Sequence, residues 1–243
     1  MHDNIPVFLY IMDLLGTFVF AVTGGFRAIK YEMDIIGVLA LATIVGVGGG
    51  MTRDVLLGAV PPYALRGAAY LVATCAAGFC VFFFARFIAP AWRKILYADA
   101  VGLGLFAAIG AAKASMAGLG PVGIMFIATI ASVGGSLIRD MATGEIPLIF
   151  TREVYASAAM AGGFAYWITE HAVPGRTAFF AALVITSLVR IIALRFNINL
   201  PKSKRLDASP SQIASVSTVA HPTPTTSNAG FSESLMAHPA VCR

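Results

Sequence analysis

One unit occurs twice in this chain of 243 residues. Gly48-Gly49-Gly50-Met51-Thr52-Arg53-Asp54 returns 86 residues later as Gly134-Gly135-Ser136-Leu137-Ile138-Arg139-Asp140. Laying residues 13–66 on 99–152 without a gap gives 18 identities in 54 positions. Among them are Asp13/Asp99, Gly16/Gly102, Phe20/Phe106, Gly24/Gly110, Thr43/Thr129, Gly58/Gly144, Pro61/Pro147 and Arg66/Arg152. A duplicated unit must either form two independent folds or pack one copy against the other. Each copy also sets a glycine cluster and an Arg-Asp pair inside an apolar run, a combination that is expensive in lipid and is usually kept for a solute path.

Composition names the solvent. Hydrophobic residues make up 58 % of the chain and charged residues 12 %, against about 25 % charge in an ordinary soluble domain. The mean hydropathy is +0.81. The sequence therefore reads as an all-α polytopic membrane protein. Its net charge of +5 is carried by short segments that flank apolar runs, which is how topology determinants are placed and not how nucleic acid is bound. Cys75 and Cys80 lie on different faces of one apolar segment and Cys242 lies in the tail, so they read as small buried residues and not as a disulfide or metal set. The first apolar run has no small-residue cleavage site and belongs to the repeat, so it is expected to be a first span and not a signal peptide.

A transmembrane helix takes about 20 apolar residues. On that basis seven spans are expected, at 7–27, 34–57, 65–87, 96–116, 121–142, 152–170 and 177–196. Residues 1–90 would form the first repeat and 91–174 the second. The stretch 175–200 would be an accessory helix, and 201–243, rich in Ser, Thr and Pro, a disordered cytoplasmic tail. Three spans per repeat return the chain to the opposite face, so the second copy is expected upside down, as an inverted repeat. Eleven basic residues then fall on one face, Arg27, Lys30, Arg86, Arg93, Lys94, Arg139, Arg152, Arg195, Lys202, Lys204 and Arg205. Four fall on the other, Arg53, Arg66, Lys113 and Arg176. The positive-inside rule puts the C-terminus in the cytoplasm and the N-terminus outside.

The glycines carry two readings. Gly48, Gly49 and Gly50, with Gly134, Gly135 and Ser136, could serve close helix packing alone. They could instead break spans 2 and 5, leaving carbonyls that face a water-filled path. Such carbonyls would suit a dehydrating cation, as would the hydroxyls of Thr43, Thr129, Ser132 and Ser136. Adjacent helical residues point about 100° apart, so Arg53-Asp54 and Arg139-Asp140 are not expected to pair within themselves. Arg53 with Asp140 and Arg139 with Asp54 is one symmetric solution; each guanidinium on the carbonyls of the opposite broken helix is another. Snorkelling interfacial pairs without a transport role are the alternative to both. Lys113 aligns with Arg27 and is either a site-bordering charge or a terminal anchor. Asp13 and Asp99 are either vestibule groups or helix caps. Arg190 and Arg195 read as anchors.

No zinc-binding His-Glu-x-x-His helix, phosphate-cradling loop or nucleophile elbow is present in the sequence. An enzyme is not expected, nor a cofactor or metal centre. A channel or a carrier remains.

At the motifs Gly48-Gly49-Gly50-x-x-Arg53-Asp54 and Gly134-Gly135-Ser136-x-x-Arg139-Asp140, each with a following glycine and proline, the chain resembles the prokaryotic TRIC family of trimeric intracellular cation channels. It is also similar to a related group of bacterial paired-repeat proteins with a proposed glycine transporter role. The likeness covers residues 5–196. It implies a homotrimer in the inner membrane with a potassium-permeable pore in each protomer, sodium being a second candidate ion. It also implies kinked spans 2 and 5 along that pore and contacts with membrane lipids. The eukaryotic members carry a Lys-Glu-Val lipid-binding motif after span 2; here the loop reads Leu57-Gly58-Ala59-Val60-Pro61-Pro62, and that part of the resemblance stops.

Overall fold

The computed structural model describes residues 7–88, 92–151, 154–173 and 175–196; the expected tail, Arg152, Lys202, Lys204 and Arg205 lie outside them. The order is α1 (Val7–Lys30), α2 (Ile35–Leu56), a 3-10 turn (Tyr63–Leu65), α3 (Ala68–Ile88), α4 (Trp92–Met116), α5 (Pro121–Ala142), a single turn α6 (Leu148–Thr151), α7 (Ala156–Glu170) and α8 (Gly175–Phe196). No strand occurs among the described residues. Five of these helices are long and apolar enough to cross a membrane, and the apolar stretch Ala68–Phe84 of α3 is slightly shorter. The protein is an all-helical polytopic membrane protein. The seven expected spans fall on α1–α5, α7 and α8, with the sixth starting at Ala156 because α6 and a turn precede it.

Helix ends follow local chemistry. Asp34 caps α2, its Oδ1 accepting from the Gly37 amide at 2.7 Å. Pro121 sits in the first turn of α5, where its missing amide loses nothing. Both motif helices close with a glycine in the left-handed region, Gly58 at φ +72° and Gly144 at φ +67°. There the Ala59 and Glu145 amides return to the Asp54 and Asp140 carbonyls.

The expected breaks at the glycine clusters are not present. Residues 35–56 and 121–142 are helical without interruption. The glycines serve the approach of α2 to α5 instead. A Cβ on Gly49 would fall on the Ala131 carbonyl oxygen, one on Gly135 would lie 2.6 Å from the Val45 carbonyl oxygen, and one on Gly134 would lie 3.1 Å from the Gly49 Cα. Keeping the backbone bonded inside the helix avoids exposing peptide groups to lipid, and removing side chains lets the two helices touch backbone to backbone.

These contacts are reciprocal. Gly49 and Gly135 are equivalent in the repeat, as are Ala131 and Val45. Gly16 packs on Phe106 and Gly102 on Phe20, again equivalent pairs. Reciprocity of this kind is what a two-fold relation between the halves requires. The last helix breaks it: α8 packs on α4 and α7, both from the second half.

Candidate functional site

Two charged clusters are buried at equivalent positions of the halves. In the first, Arg53 near the end of α2 is 1 % exposed, and Asp13 and Asp54 are each 2 % exposed. The Arg53 guanidinium grips Asp13 on α1 with both terminal nitrogens, Nη1 to Oδ1 at 3.2 Å and Nη2 to Oδ2 at 2.9 Å. Its Nε donates to Asp54 Oδ1 at 2.9 Å. Lys113, at the end of α4 in the other half, donates to Asp13 Oδ2 at 3.2 Å and Asp54 Oδ1 at 3.1 Å. The Tyr70 hydroxyl on α3 donates to Asp13 Oδ2 at 3.2 Å, and the Tyr63 amide to Asp54 Oδ2 at 3.2 Å. Two carboxylates and two bases leave no net charge. The ammonium also lies 4.8 Å from the Tyr63 ring centroid.

The second cluster repeats this plan. Arg139 Nη1 donates to Asp99 Oδ1 at 2.8 Å and to Thr23 Oγ1 at 3.3 Å, and its Nε donates to Asp140 Oδ1 at 3.0 Å. The Tyr155 hydroxyl donates to Asp99 Oδ2 at 3.0 Å, and the Leu148 amide to Asp140 Oδ2 at 2.9 Å. Arg27, the equivalent of Lys113, reaches Asp140 Oδ1 at 3.2 Å from the first half. It also pairs with Glu145 at 2.6 Å. Glu145 accepts from Lys30 at 2.8 Å and from the Tyr31 hydroxyl. Burial works to raise its pKa, but the bonds from Lys30 and Tyr31 and the charge of Arg27 outweigh it and hold the carboxyl at about 2.

Several expectations change here. Arg53 does not pair with Asp140, nor Arg139 with Asp54, and neither guanidinium rests on carbonyls of the opposite helix. Each arginine binds its own sequence neighbour as well as an aspartate 40 residues earlier. The 100° between adjacent Cβ atoms does not prevent this, because the long arginine stem carries Nε back over the next residue. The halves are instead cross-linked by Lys113 and Arg27, which places Lys113 at the cluster and not at a free helix end. The hydroxyls turn elsewhere. Thr43 donates to Thr74 on α3 at 3.1 Å. Thr129, Ser132 and Ser136 donate to carbonyls of α5 itself, at Met125, Ala128 and Val133, each at 2.8 Å.

Tyr70, Tyr155, Glu145 and Thr23 belong to the clusters and were not singled out by sequence reasoning. The two tyrosines are 85 residues apart, not 86, as are the Tyr63 and Leu148 amides that do the same work. A gap after Pro61/Pro147 would have aligned them; the gapless register matched Arg66 with Arg152 instead.

A small cavity adjoins the first cluster, with Thr17, Val47 and Gly50 in its wall; another adjoins the second, with Thr23, Ile95 and Leu96. Fold and site together define a helical membrane protein of two fused, mutually ion-paired halves. The chain belongs to the family described as "Glycine transporter", whose sequence profile matches it twice, over residues 10–86 and 96–171. It is 36 % identical over 196 residues to a UPF0126 membrane protein of Deinococcus radiodurans, covering 79 % of this chain and 91 % of that one. It is 36 % identical over 197 residues to the UPF0126 inner membrane protein YadS of Escherichia coli K12, covering 79 % and 95 %. Among solved structures it resembles one from work on conductance through TRIC cation channels, with a TM-score of 0.75 and 37 % identity, covering 82 % of this chain and 98 % of that one. A TRIC channel orthologue from Rhodobacter sphaeroides is similar at a TM-score of 0.75 and 34 % identity, covering 79 % and 100 %.

Proposed function

We propose that this protein is a cation channel, permeable to potassium, with one pathway in each protomer of a homotrimer. The observation that carries this reading is the likeness to TRIC channel structures at 37 % identity over 98 % of the channel's length. The geometry supports it in a specific way. The path would run along the crossing of α2 and α5, entering and leaving past the Arg53 and Arg139 clusters. Each cluster is internally neutral in its four principal charges, so it need not repel a cation, yet its bonds must rearrange for one to pass. The same reading gives the inverted orientation, with the N-terminus outside and the C-terminus in the cytoplasm. Activity of a periplasm-dependent reporter fused after Arg205 would overturn that orientation.

Purified protein in a planar bilayer tests the channel. Discrete openings correspond to on the order of 10⁶–10⁷ ions per second, far above carrier or enzyme turnover of ~1–10³ per second. A carrier of glycine is the second reading, favoured by the family profile that matches both halves. It requires saturable uptake of labelled glycine into proteoliposomes and no unitary current.

A further inference from the structure

Two buried aromatic rings meet in the interior of the helix bundle. Phe20 on α1 and Phe106 on α4 occupy equivalent repeat positions and stack on one another, with centroids 5.0 Å apart and planes 9° from parallel. Both are 0 % exposed. Glycines make room for them: a Cβ on Gly16 would lie 3.2 Å from the Phe106 ring, and one on Gly102 2.9 Å from the Phe20 ring. The repeat motifs close in as well, Gly135 with its Cβ position 3.3 Å from Phe20 and Gly50 with its Cβ position 3.5 Å from Phe106.

Gly50 fixes where the stack stands. The same Cβ position is 3.6 Å from Arg53 Nη2 and 3.9 Å from Asp13 Oδ1, so the edge of Phe106 lies one small side chain away from the first cluster. On the other side the Phe20 carbonyl accepts from Thr23 Oγ1 at 2.8 Å, and that oxygen accepts from Arg139 at 3.3 Å. The first cavity includes Thr17 and the second Thr23, which lie about one helical turn before and after Phe20 on α1.

We propose that the Phe20–Phe106 stack is the dehydration barrier of the pathway, and that it, more than the ion pairs, limits passage of a cation. This rests on the cation-pathway reading. A hydrated ion meeting the stack is offered ring carbon, the nearby Val45 carbonyl being taken up inside the continuous helix α2, and apolar constrictions of this kind empty of water.

The test uses the full chain in proteoliposomes. Phe20→Ala/Phe106→Ala should raise potassium flux by about tenfold or more, a barrier lowering of about 1.4 kcal/mol, with Phe106→Leu between this variant and the parent. The double variant also removes two core rings, so a second measurement accompanies it. With Cys75, Cys80 and Cys242 replaced by Ser, Thr17→Cys and Thr23→Cys are probed with a small charged thiol reagent that does not cross lipid. The Thr17→Cys thiol should react from one side only and the Thr23→Cys thiol from the other only, and adding Phe106→Ala should abolish that sidedness. Sided labelling in a parent that passes no cation would sink the channel reading while keeping the barrier. Thiols open to both sides in the parent, or equal flux in the parent and a folded Phe106→Ala variant, would overturn the barrier.

Discussion

The two charged clusters are built alike, each from an arginine, two aspartates, a tyrosine and the first amide of a short helical turn, yet they are tied down differently. At the Arg53 cluster, the base from the other half, Lys113, gives both of its carboxylate bonds to the buried pair Asp13 and Asp54. At the Arg139 cluster the corresponding base, Arg27, gives one bond to Asp140 and turns the rest of its guanidinium outward to Glu145. Glu145 in turn collects Lys30 and Tyr31 from the end of α1. The positions matching Glu145, Lys30 and Tyr31 in the other half hold Ala59, Met116 and Ala117, so nothing equivalent can form there. The Arg190 guanidinium of α8 also stands 4.7 Å from the Tyr155 ring on this side alone. The buried pairs were kept through duplication, while the half-exposed rim around them diverged. One end is closed by a compact buried knot and the other by a knot with an additional surface clasp.

Breaking the knots gives the largest effects. Arg53→Ala and Arg139→Ala each leave buried carboxylates without their principal partner, and each should destabilise by ~3–5 kcal/mol in denaturant unfolding of the detergent-solubilised protein. Double-mutant cycles should show coupling above ~0.5 kcal/mol for Arg53 with Asp13 and for Arg139 with Asp99. The Arg53/Asp140 cycle should be additive, because those side chains do not meet. Coupling in that cycle would mean that the two knots are not separate units.

The cross-linking bases should separate the ends. Lys113→Ala removes two charge-assisted bonds at a site 6 % exposed and should cost about 1.5–3 kcal/mol. Arg27→Ala should cost less than Lys113→Ala in the same assay, since the Glu145 side chain is 28 % exposed and water can replace its lost partner. Equal losses would remove the contrast drawn between the two ends.

Acid should then loosen one end selectively. The folded Glu145 carboxyl is held at about 2 against 4.5 in its ordinary state, so its contribution is complete above pH 4.5 and disappears as the pH falls toward 2. Hydrogen exchange, corrected for chemical exchange rate, should speed up at pH 3 for residues 30–33 and 143–147 but not for 57–61. Glu145→Gln should show the faster exchange already at pH 6.

The smallest effect concerns the turn after α1. Glu32 is held at φ +54°, while the equivalent residue in the second half is Gly118 at φ +77°. Glu32→Gly relieves a left-handed residue and should stabilise by under about 1 kcal/mol, the gain being offset by the freer unfolded chain. Gly118→Glu should do the opposite, which a shift of the unfolding midpoint would show.

The long apolar helices and the fusion of two halves could be read from hydropathy and an 86-residue period, because burial in lipid writes long apolar runs. The charged residues of the clusters could also be found, since a charge in such a run stands out. Their partners could not. The reach of an arginine stem decides that Arg53 takes both Asp54 and Asp13, and neither spacing nor sign of charge contains that length. The glycine clusters were ambiguous for a similar reason: absence of a side chain permits a break and a close crossing alike, and only the neighbouring α5 backbone selects the crossing. Phe20 and Phe106 were visible as an identity between halves, but nothing in one dimension says that equivalent residues will meet.

The one-residue slip between Tyr70 and Tyr155 bears on where this architecture tolerates insertions. The halves differ in length between Pro61/Pro147 and the tyrosines, and the hydroxyls still land on Asp13 and Asp99. The difference falls in the connections, outside the helices that carry the charges. The same single residue added between Asp13 and Asp54 would turn the remainder of a helix by about 100° and carry every charged group off its partner. Duplicated chains of this design are therefore free to change length at these connections, and fixed in length along the helices that hold the charges.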